Sequence, residues 1–226
     1  MNSKYKTILN DLDAILARDP ATNSRLEAFI CNSGFHCLCF HRATHWLWQK
    51  HFCLTARIIG QLARFLTGIE IHPAAQIGKG LVIDHGMGIV IGETAQIGDN
   101  VTLYHDVTLG GTTVFDKNGK LCAKRHPTIG NNVIIGAGAQ ILGPIKIGDN
   151  SKVGANAIVI KNVPKNTTVV GFPAHSTSIS SDKRFCSYGL NSQDNDELNE
   201  TIIHLSQDIH NLRSEIKELK QKLNKN

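Results

Sequence analysis

An aliphatic residue returns at every sixth position through the middle of the chain, from Ile71, Ile77, Ile83 and Ile89, through Ala95, to Val101 and Val107. After an interruption the spacing resumes at Ile129, Ile135, Ile141, Ile147, Val153 and Val159. A period of six matches neither the helical repeat nor simple strand alternation. It matches the hexapeptide repeat of a parallel β-helix, where each aliphatic residue points into a narrow prism and stacks on its equivalents in adjacent coils. Glycine follows many of these positions, at Gly78, Gly98, Gly130, Gly136, Gly148 and Gly154. The expectation is that these glycines turn the corners, because glycine takes positive φ at little cost.

The repeat divides the chain. Residues 1–68 read as a helical domain, with apolar residues at mixed three- and four-residue steps that include Phe40, Trp46, Leu47, Phe52, Ile58, Leu62 and Phe65. Trp46 and Trp48 are expected to be packing anchors. Residues 69–175 carry the repeat, and the Ser-, Asn- and Asp-rich stretch 176–196 reads as a linker. In residues 197–226, Leu198, Ile202, Leu205, Ile209, Leu212, Ile216, Leu219 and Leu223 form a heptad seam. Asp208 faces Arg213 and Glu215 faces Lys220 across a parallel coiled coil, so this tail is expected to associate with copies of itself. Isoleucine at a with leucine at d favours two strands. Hexapeptide β-helices assemble as threefold trimers, and tethering three tails side by side raises their effective concentration enough to override that preference. A homotrimer is therefore expected.

Bulk properties narrow the class. A hydrophobic fraction of 41% over 226 residues suits a folded domain, and a net charge of +5 is too small and diffuse to argue for nucleic acid. The six cysteines show no paired Cys-x-x-Cys spacing. With neither a signal peptide nor a long apolar span, the reading is a reduced cytoplasmic protein with no membrane association.

Chemistry is expected where the solenoid is interrupted. Between Gly111 and Arg125 the chain leaves the repeat, and Arg125-His126-Pro127 follows at once. Upstream, Asp84-His85 sits next to Ile83. Histidine can accept a proton near neutral pH, and arginine offers a fork that suits a carboxylate. Together they would serve a small amino-acid substrate that must lose a hydroxyl proton.

The residues also carry a family resemblance. Gly68-Ile-Glu-Ile-His-Pro-Ala-Ala75, Ile83-Asp-His-Gly-Met-Gly-Ile-Val-Ile-Gly-Glu-Thr94, Val107-Thr-Leu-Gly-Gly-Thr112 and Arg125-His-Pro-Thr-Ile129 closely resemble bacterial serine O-acetyltransferases. So do Ile135-Gly-Ala-Gly-Ala-Gln-Ile-Leu-Gly143, Val169-Val-Gly-Phe-Pro-Ala174 and, in the helical region, Arg18-Asp-Pro-Ala21 and His45-Trp-Leu-Trp48. The likeness runs from about Asp11 to Ala174. It implies an α+β fold whose β-helix is left-handed, and acetyl transfer from acetyl-CoA, as co-substrate, to L-serine for cysteine synthesis. It also implies an active site between neighbouring subunits, with no permanently bound cofactor. By position, His85 resembles the general base and Glu70 the carboxylate that orients it. Asp84 and Asp19 resemble the partners of the substrate ammonium. Arg125 resembles the partner of its carboxylate, and His126 the group that helps position the substrate near the reacting carbonyl. Gly110-Gly111 would offer a backbone N–H to the oxyanion, and Gly111, Ala137, Gly154 and Ala155 would line the coenzyme.

Departures from the family pattern sharpen the expectations. The 113–124 excursion is longer than usual, His175 replaces an arginine, and the chain ends in Lys225-Asn226 rather than isoleucine. The last difference argues against a complex with O-acetylserine sulfhydrylase. His72, His85, His105 and His126 lack the close pair found in zinc-binding hexapeptide proteins, so no metal is expected. Two other readings are an acetyltransferase for a different hydroxyl acceptor and a non-catalytic trimeric scaffold.

Overall fold

The computed structural model describes residues 3–113 and 123–171. The linker, the heptad tail, His175 and the middle of the 113–124 excursion lie outside them. Four helices come first, α1 (Ser3–Arg18), α2 (Arg25–Cys31), α3 (Ser33–Gln49) and α4 (Cys53–Thr67). The starts of α2 and α3 are written locally. The Ser24 side chain accepts from the Glu27 N–H at 3.1 Å, and Asn32 accepts from the Phe35 N–H at 2.8 Å. Each satisfies a donor that the first helical turn leaves free. Gly68 closes α4 in the left-handed region, with φ of 71°.

Short strands follow: β1 (Glu70–Ile71), β2 (Gln76–Ile77), β3 (Val82–Ile83), β4 (Val90–Ile91), β5 (Gln96–Ile97), β6 (Thr102–Leu103) and β7 (Thr108–Gly110). Beyond the excursion come β8 (Thr128–Ile129), β9 (Ile134–Ile135), β10 (Gln140–Leu142), β11 (Lys146–Ile147), β12 (Lys152–Val153), β13 (Ile158–Val159) and β14 (Thr168–Val169). They stack in parallel as three sheets, β1-β4-β7-β10-β13, β2-β5-β8-β11 and β3-β6-β9-β12-β14. Successive strands therefore visit three faces in turn, as the six-residue spacing requires. The core runs down the middle, where Ile83, Leu103, Leu109, Ile129, Ile135 and Ile141 are at most 2% exposed. Each such residue contributes about 2 kcal/mol relative to an exposed one.

The ladder is not a single phase. Val90 pairs with Thr108, 18 residues on, but Val82 pairs with Thr102, 20 residues on, and Gln96 with Thr128, 32 on. Two residues are added at the corner 84–88, and fourteen at the excursion. Past the first addition the inward strand positions are Ile91, Ile97, Leu103 and Leu109. Ile89, Ala95, Val101 and Val107 lie at the corner position that precedes a strand, yet are still at most 1% exposed. Both positions face inward, so the aliphatic spacing passes through the slip without a visible break.

The glycine expectation is also corrected. Gly78, Gly98, Gly130, Gly136, Gly148 and Gly154 do not have positive φ. They permit close approach of coils: a Cβ on Gly78 would lie 2.6 Å from the Gly98 carbonyl oxygen, and one on Gly136 would lie 2.6 Å from the Ala155 nitrogen. The left-handed corner positions belong largely to asparagine, at Asn100, Asn132, Asn150, Asn156 and Asn166. Asparagine tolerates that region, and its amide can also bond along the stack. Asn132 donates to Asn150 and Asn150 to Asn166, each at 3.1 Å.

Guanidinium groups dock the helices on the coil. Arg42 of α3 donates to the carbonyls of Ile77 and Gly78, both at 2.6 Å, and pairs with Asp11 of α1 at 3.3 Å. Asp11 in turn accepts from the Gly80 N–H at 2.8 Å. Arg18 donates to the Gly80 carbonyl and to Thr102 Oγ1, at 2.8 and 3.0 Å. Gly34 lets α3 approach, since a Cβ there would lie 2.4 Å from the Ile83 oxygen. Of the two tryptophans, Trp48 meets His72 edge-on at 5.1 Å, whereas Trp46 is 46% exposed. Phe52, Ile58, Leu62 and Phe65 are exposed as well, and with Leu54 and Leu66 the α4 residues form an apolar row on the outer face of that helix. No helix among the described residues is long and apolar enough to cross a membrane.

Candidate active site

The enlarged corner between β3 and β4 presents Asp84 and His85. The two added residues force a tight path, in which the Gly86 N–H bonds to the Asp84 carbonyl at 2.8 Å and the Gly88 N–H to the Gly68 carbonyl at 3.0 Å. His85 takes a left-handed conformation, with φ of 62°. Such a backbone in a residue other than glycine is maintained only by its surroundings. It leaves the imidazole 76% exposed, with Nε2 3.8 Å from Asp84 Oδ1.

Three further groups stand near this corner. Asp19 lies in the turn after α1, where it accepts from Thr22 Oγ1 at 2.6 Å and from the Ala21 N–H at 2.9 Å. The Thr22 hydroxyl, opposed by burial and joined by the Ala21 N–H and the neighbouring His85, holds its carboxyl below the usual range. Glu70 opens β1, where its Oε2 is 2.8 Å from Arg64 Nη1. Its carboxylate is thus paired with Arg64. The imidazole of His105 lies edge-on to that of His85, at 6.0 Å. In the sequence His105 stands out only among the histidines that lack a metal-binding pair. Aligning coils would have found it, because Asp106 donates to Met87, Gly138 to His105 and Asn156 to Ala137. Those bonds place Met87, His105, Ala137 and Ala155 at equivalent positions down one edge of the prism, with Gly154 adjoining. The proposed coenzyme strip therefore continues the edge that carries His85.

Arg125 and His126 lie elsewhere. They end the excursion between β7 and β8, on the edge that also carries His72 and the 92–95 corner. Arg125 Nη2 is 3.0 Å from Glu93 Oε2. His126 is 8% exposed, and its Nδ1 is 2.9 Å from Thr94 Oγ1. Burial, then the charge of Arg125, lowers its pKa to about 4, so the ring is neutral at pH 7. Its ring fits a slot that only glycines leave open. A Cβ on Gly92 would lie 2.0 Å from His126 Nε2, and one on Gly111 would lie 2.9 Å from it. Gly111 is thereby placed against His126, on a different edge from Ala137 and Ala155. Glu93 and Thr94 were missed as individual residues, since only the fold brings them to Arg125 and His126.

Two candidate half-sites therefore occupy two edges of the prism, separated by the β1-β4-β7-β10-β13 face. One offers an exposed imidazole among carboxylates, the other a guanidinium and a neutral imidazole. Among the described residues no three His, Cys, Asp or Glu side chains converge in a group that could hold a metal.

A three-faced parallel coil of this kind defines a hexapeptide-repeat transferase, and residues 126–161 match the bacterial transferase hexapeptide family (six repeats). The chain belongs, more narrowly, to the serine acetyltransferases. It is 53% identical over 163 residues to the serine acetyltransferase of Helicobacter pylori, covering 72% of this chain and 92% of that one. It is 50% identical over 169 residues to that of Synechococcus elongatus, covering 75% and 67% respectively. Among solved structures, Neisseria gonorrhoeae serine acetyltransferase in complex with serine superposes with a TM-score of 0.69 at 41% identity, covering 76% of this chain and 68% of that one. The protein is an acyltransferase.

Proposed function

We propose that the protein transfers the acetyl group of acetyl-CoA to the hydroxyl of L-serine, giving O-acetyl-L-serine and CoA for cysteine synthesis. The observation that carries this reading is His85, lifted by the enlarged corner into an exposed position beside Asp84 and Asp19 in a chain of this family. A base in that position can take the serine hydroxyl proton as the oxygen attacks the thioester carbonyl. The tetrahedral adduct then collapses, the C–S bond breaks, and the proton on His85 passes to the departing CoA sulfur. No covalent enzyme intermediate is needed.

The surrounding groups have complementary tasks. Asp84 and Asp19 attract the ammonium of serine, and Arg125 holds its carboxylate in a fork. Glu70 stabilises the imidazolium that His85 becomes. Its pair with Arg64 is exposed, at 55% and 38%, and is cheap to exchange. The Gly110-Gly111 turn offers a backbone N–H to the developing oxyanion, and His126 positions the substrate near the reacting carbonyl. The pantetheine arm runs along Gly154, Ala155 and Ala137.

Because the two half-sites lie on different edges, one copy's His85 edge meets another copy's Arg125–His126 edge in this reading. A left-handed coil assembled as a trimer repeats that junction at each interface. The apolar row on α4 supports assembly, since it leaves Leu54, Ile58, Leu62 and Leu66 uncovered on one copy. The heptad tail is taken to strengthen the same trimer. The four described free cysteines suit a reducing cytoplasm.

The test is CoA release, read with a thiol reagent. Acetyl-CoA is offered with L-serine, homoserine, threonine or a simple sugar, each against a His85→Ala control. Serine-dependent release that disappears in the variant is the expected result. Release with another acceptor alone would reassign the substrate, and silence with all of them would return the protein to a scaffold role.

A further inference from the structure

Thr94 sits between the backbone of Arg125 and the ring of His126, bonded to both. Its Oγ1 accepts from the backbone N–H of Arg125 and of His126, both at 3.0 Å. These two bonds use its acceptor capacity. Its own proton has one remaining partner, Nδ1 of His126, at 2.9 Å. The Thr94 backbone N–H points at the same nitrogen, at 3.3 Å. Nδ1 is therefore an acceptor twice over and carries no proton. A neutral imidazole keeps its proton on one nitrogen only, so that proton must be on Nε2.

Nε2 is on the edge of the ring that lies against Gly92 and Gly111. The backbone of Thr94 also holds the end of the excursion, since its carbonyl accepts from Lys124 Nζ. One residue thus anchors the returning chain, orients the ring and determines which nitrogen can donate. We propose that Thr94 is a positioning residue that fixes His126 as an Nε2–H donor aimed into the reaction space. This rests on the serine acetyltransferase reading above. It adds that the hydrogen bond offered by His126 to a substrate oxygen is set by a hydroxyl that never touches substrate. A neutral donor of this kind serves the ground state and the oxyanion without changing its own charge.

The test uses the full chain labelled with ¹⁵N-histidine. Long-range ¹H–¹⁵N correlation reads the tautomer, and the His126 ring is assigned by its loss in His126→Asn. In the unmodified protein Nδ1 is expected in the unprotonated range and Nε2 in the protonated range. In Thr94→Val, which keeps the shape and removes the hydroxyl, Nδ1 retains only the longer backbone bond of 3.3 Å, and the Nδ1–H form is expected to become populated beside the Nε2–H form. The kcat should fall by about 10- to 100-fold, with the acetyl-CoA KM within about twofold. Thr94→Ser is expected to restore both tautomer and rate. An Nδ1–H ring in the unmodified protein would overturn the proposal before any Thr94 variant is made. So would a Thr94→Val protein that loses activity while keeping the Nε2–H ring, or one that changes tautomer at full rate. If Thr94→Val fails to fold, Thr94→Ser and Thr94→Ala are read by the same two measurements. The tautomer needs no turnover, so failure of the serine reaction itself is recognised separately.

Discussion

The imidazole of His105 stands edge-on to that of His85, with ring centroids 6.0 Å apart and planes at 66°. The two are twenty residues apart and meet because β3 pairs with β6, Val82 on Thr102 and Ile83 on Leu103. Parallel stacking thus lines a prism edge with residues from successive coils. It gives the proposed base a neighbour on the side toward Ala137 and Ala155. Replacing His85 by alanine is expected to lower kcat by about 10²- to 10⁴-fold. The melting temperature should stay within a few degrees, because the side chain is 76% exposed. Steady-state CoA release and a thermal melt on the same sample check both parts.

Substitutions at Glu70 and Arg64 separate their exposed ion pair from the carboxylate role proposed for Glu70. An exposed pair contributes about 0–1 kcal/mol, so Arg64→Gln should leave stability almost unchanged and should not lower kcat. Glu70→Gln should leave stability equally unaffected but reduce kcat by about tenfold or more. Equal rates for Glu70→Gln and the parent would remove Glu70 from the mechanism.

Arg125 is expected to act through the acceptor. A charge-assisted bond of about 1.5–3 kcal/mol corresponds to a rise in serine KM of about 10- to 100-fold in Arg125→Ala. Arg125→Lys should recover little of it, because an ammonium lacks the planar fork. Serine amide provides the control: its KM should be high with the parent and should change little in Arg125→Ala.

Gly92→Ala tests the slot for His126. The added Cβ would lie 2.0 Å from ring atoms of His126, which must then turn or shift. A fall in kcat/KM of about 10- to 100-fold is expected. Gly60→Ala, where the nearest atom is 3.8 Å away, serves as the comparison and should match the parent.

Acid should loosen the junction between helices and coil. His41 is 3% exposed and its Nε2 donates to the Ala75 carbonyl at 3.2 Å, while burial lowers its pKa to about 3. Below the unfolded value near 6.5 the unfolded chain binds a proton that the folded one refuses. Its contribution to stability is therefore complete above that pH and declines as pH falls toward about 3. The slope is about 1.4 kcal/mol per pH unit for this one group. Urea melts between pH 7 and 5 should show that slope reduced in His41→Gln.

Leaving Asp11 without Arg42 should be costlier than losing any surface pair. The Asp11 side chain is 2% exposed, and removal of the guanidinium strands a buried carboxyl and frees two coil carbonyls. Arg42→Met is expected to destabilise the fold by about 3–5 kcal/mol in denaturant melts.

The six-residue aliphatic spacing, by itself, determined the parallel coil, because a residue that must point into a prism has few alternatives. The break between Gly111 and Arg125 was equally legible, since it stops the same repeat. The slip at residues 84–88 was not, because corner and strand positions both face inward and an aliphatic residue suits either. The glycines were misread for a similar reason: composition marks a place where no side chain fits, but not whether φ or a neighbouring coil forbids it. Gly136 is a glycine on account of Ala155, not of its own turn. Tertiary structure alone decided that His85 and Arg125 lie on separate edges, that Glu93 pairs with Arg125 and Arg64 with Glu70, and that Thr94 faces Nδ1 of His126. Those relationships depend on which coil lies against which, and coil lengths of 18, 20 and 32 residues set that stacking.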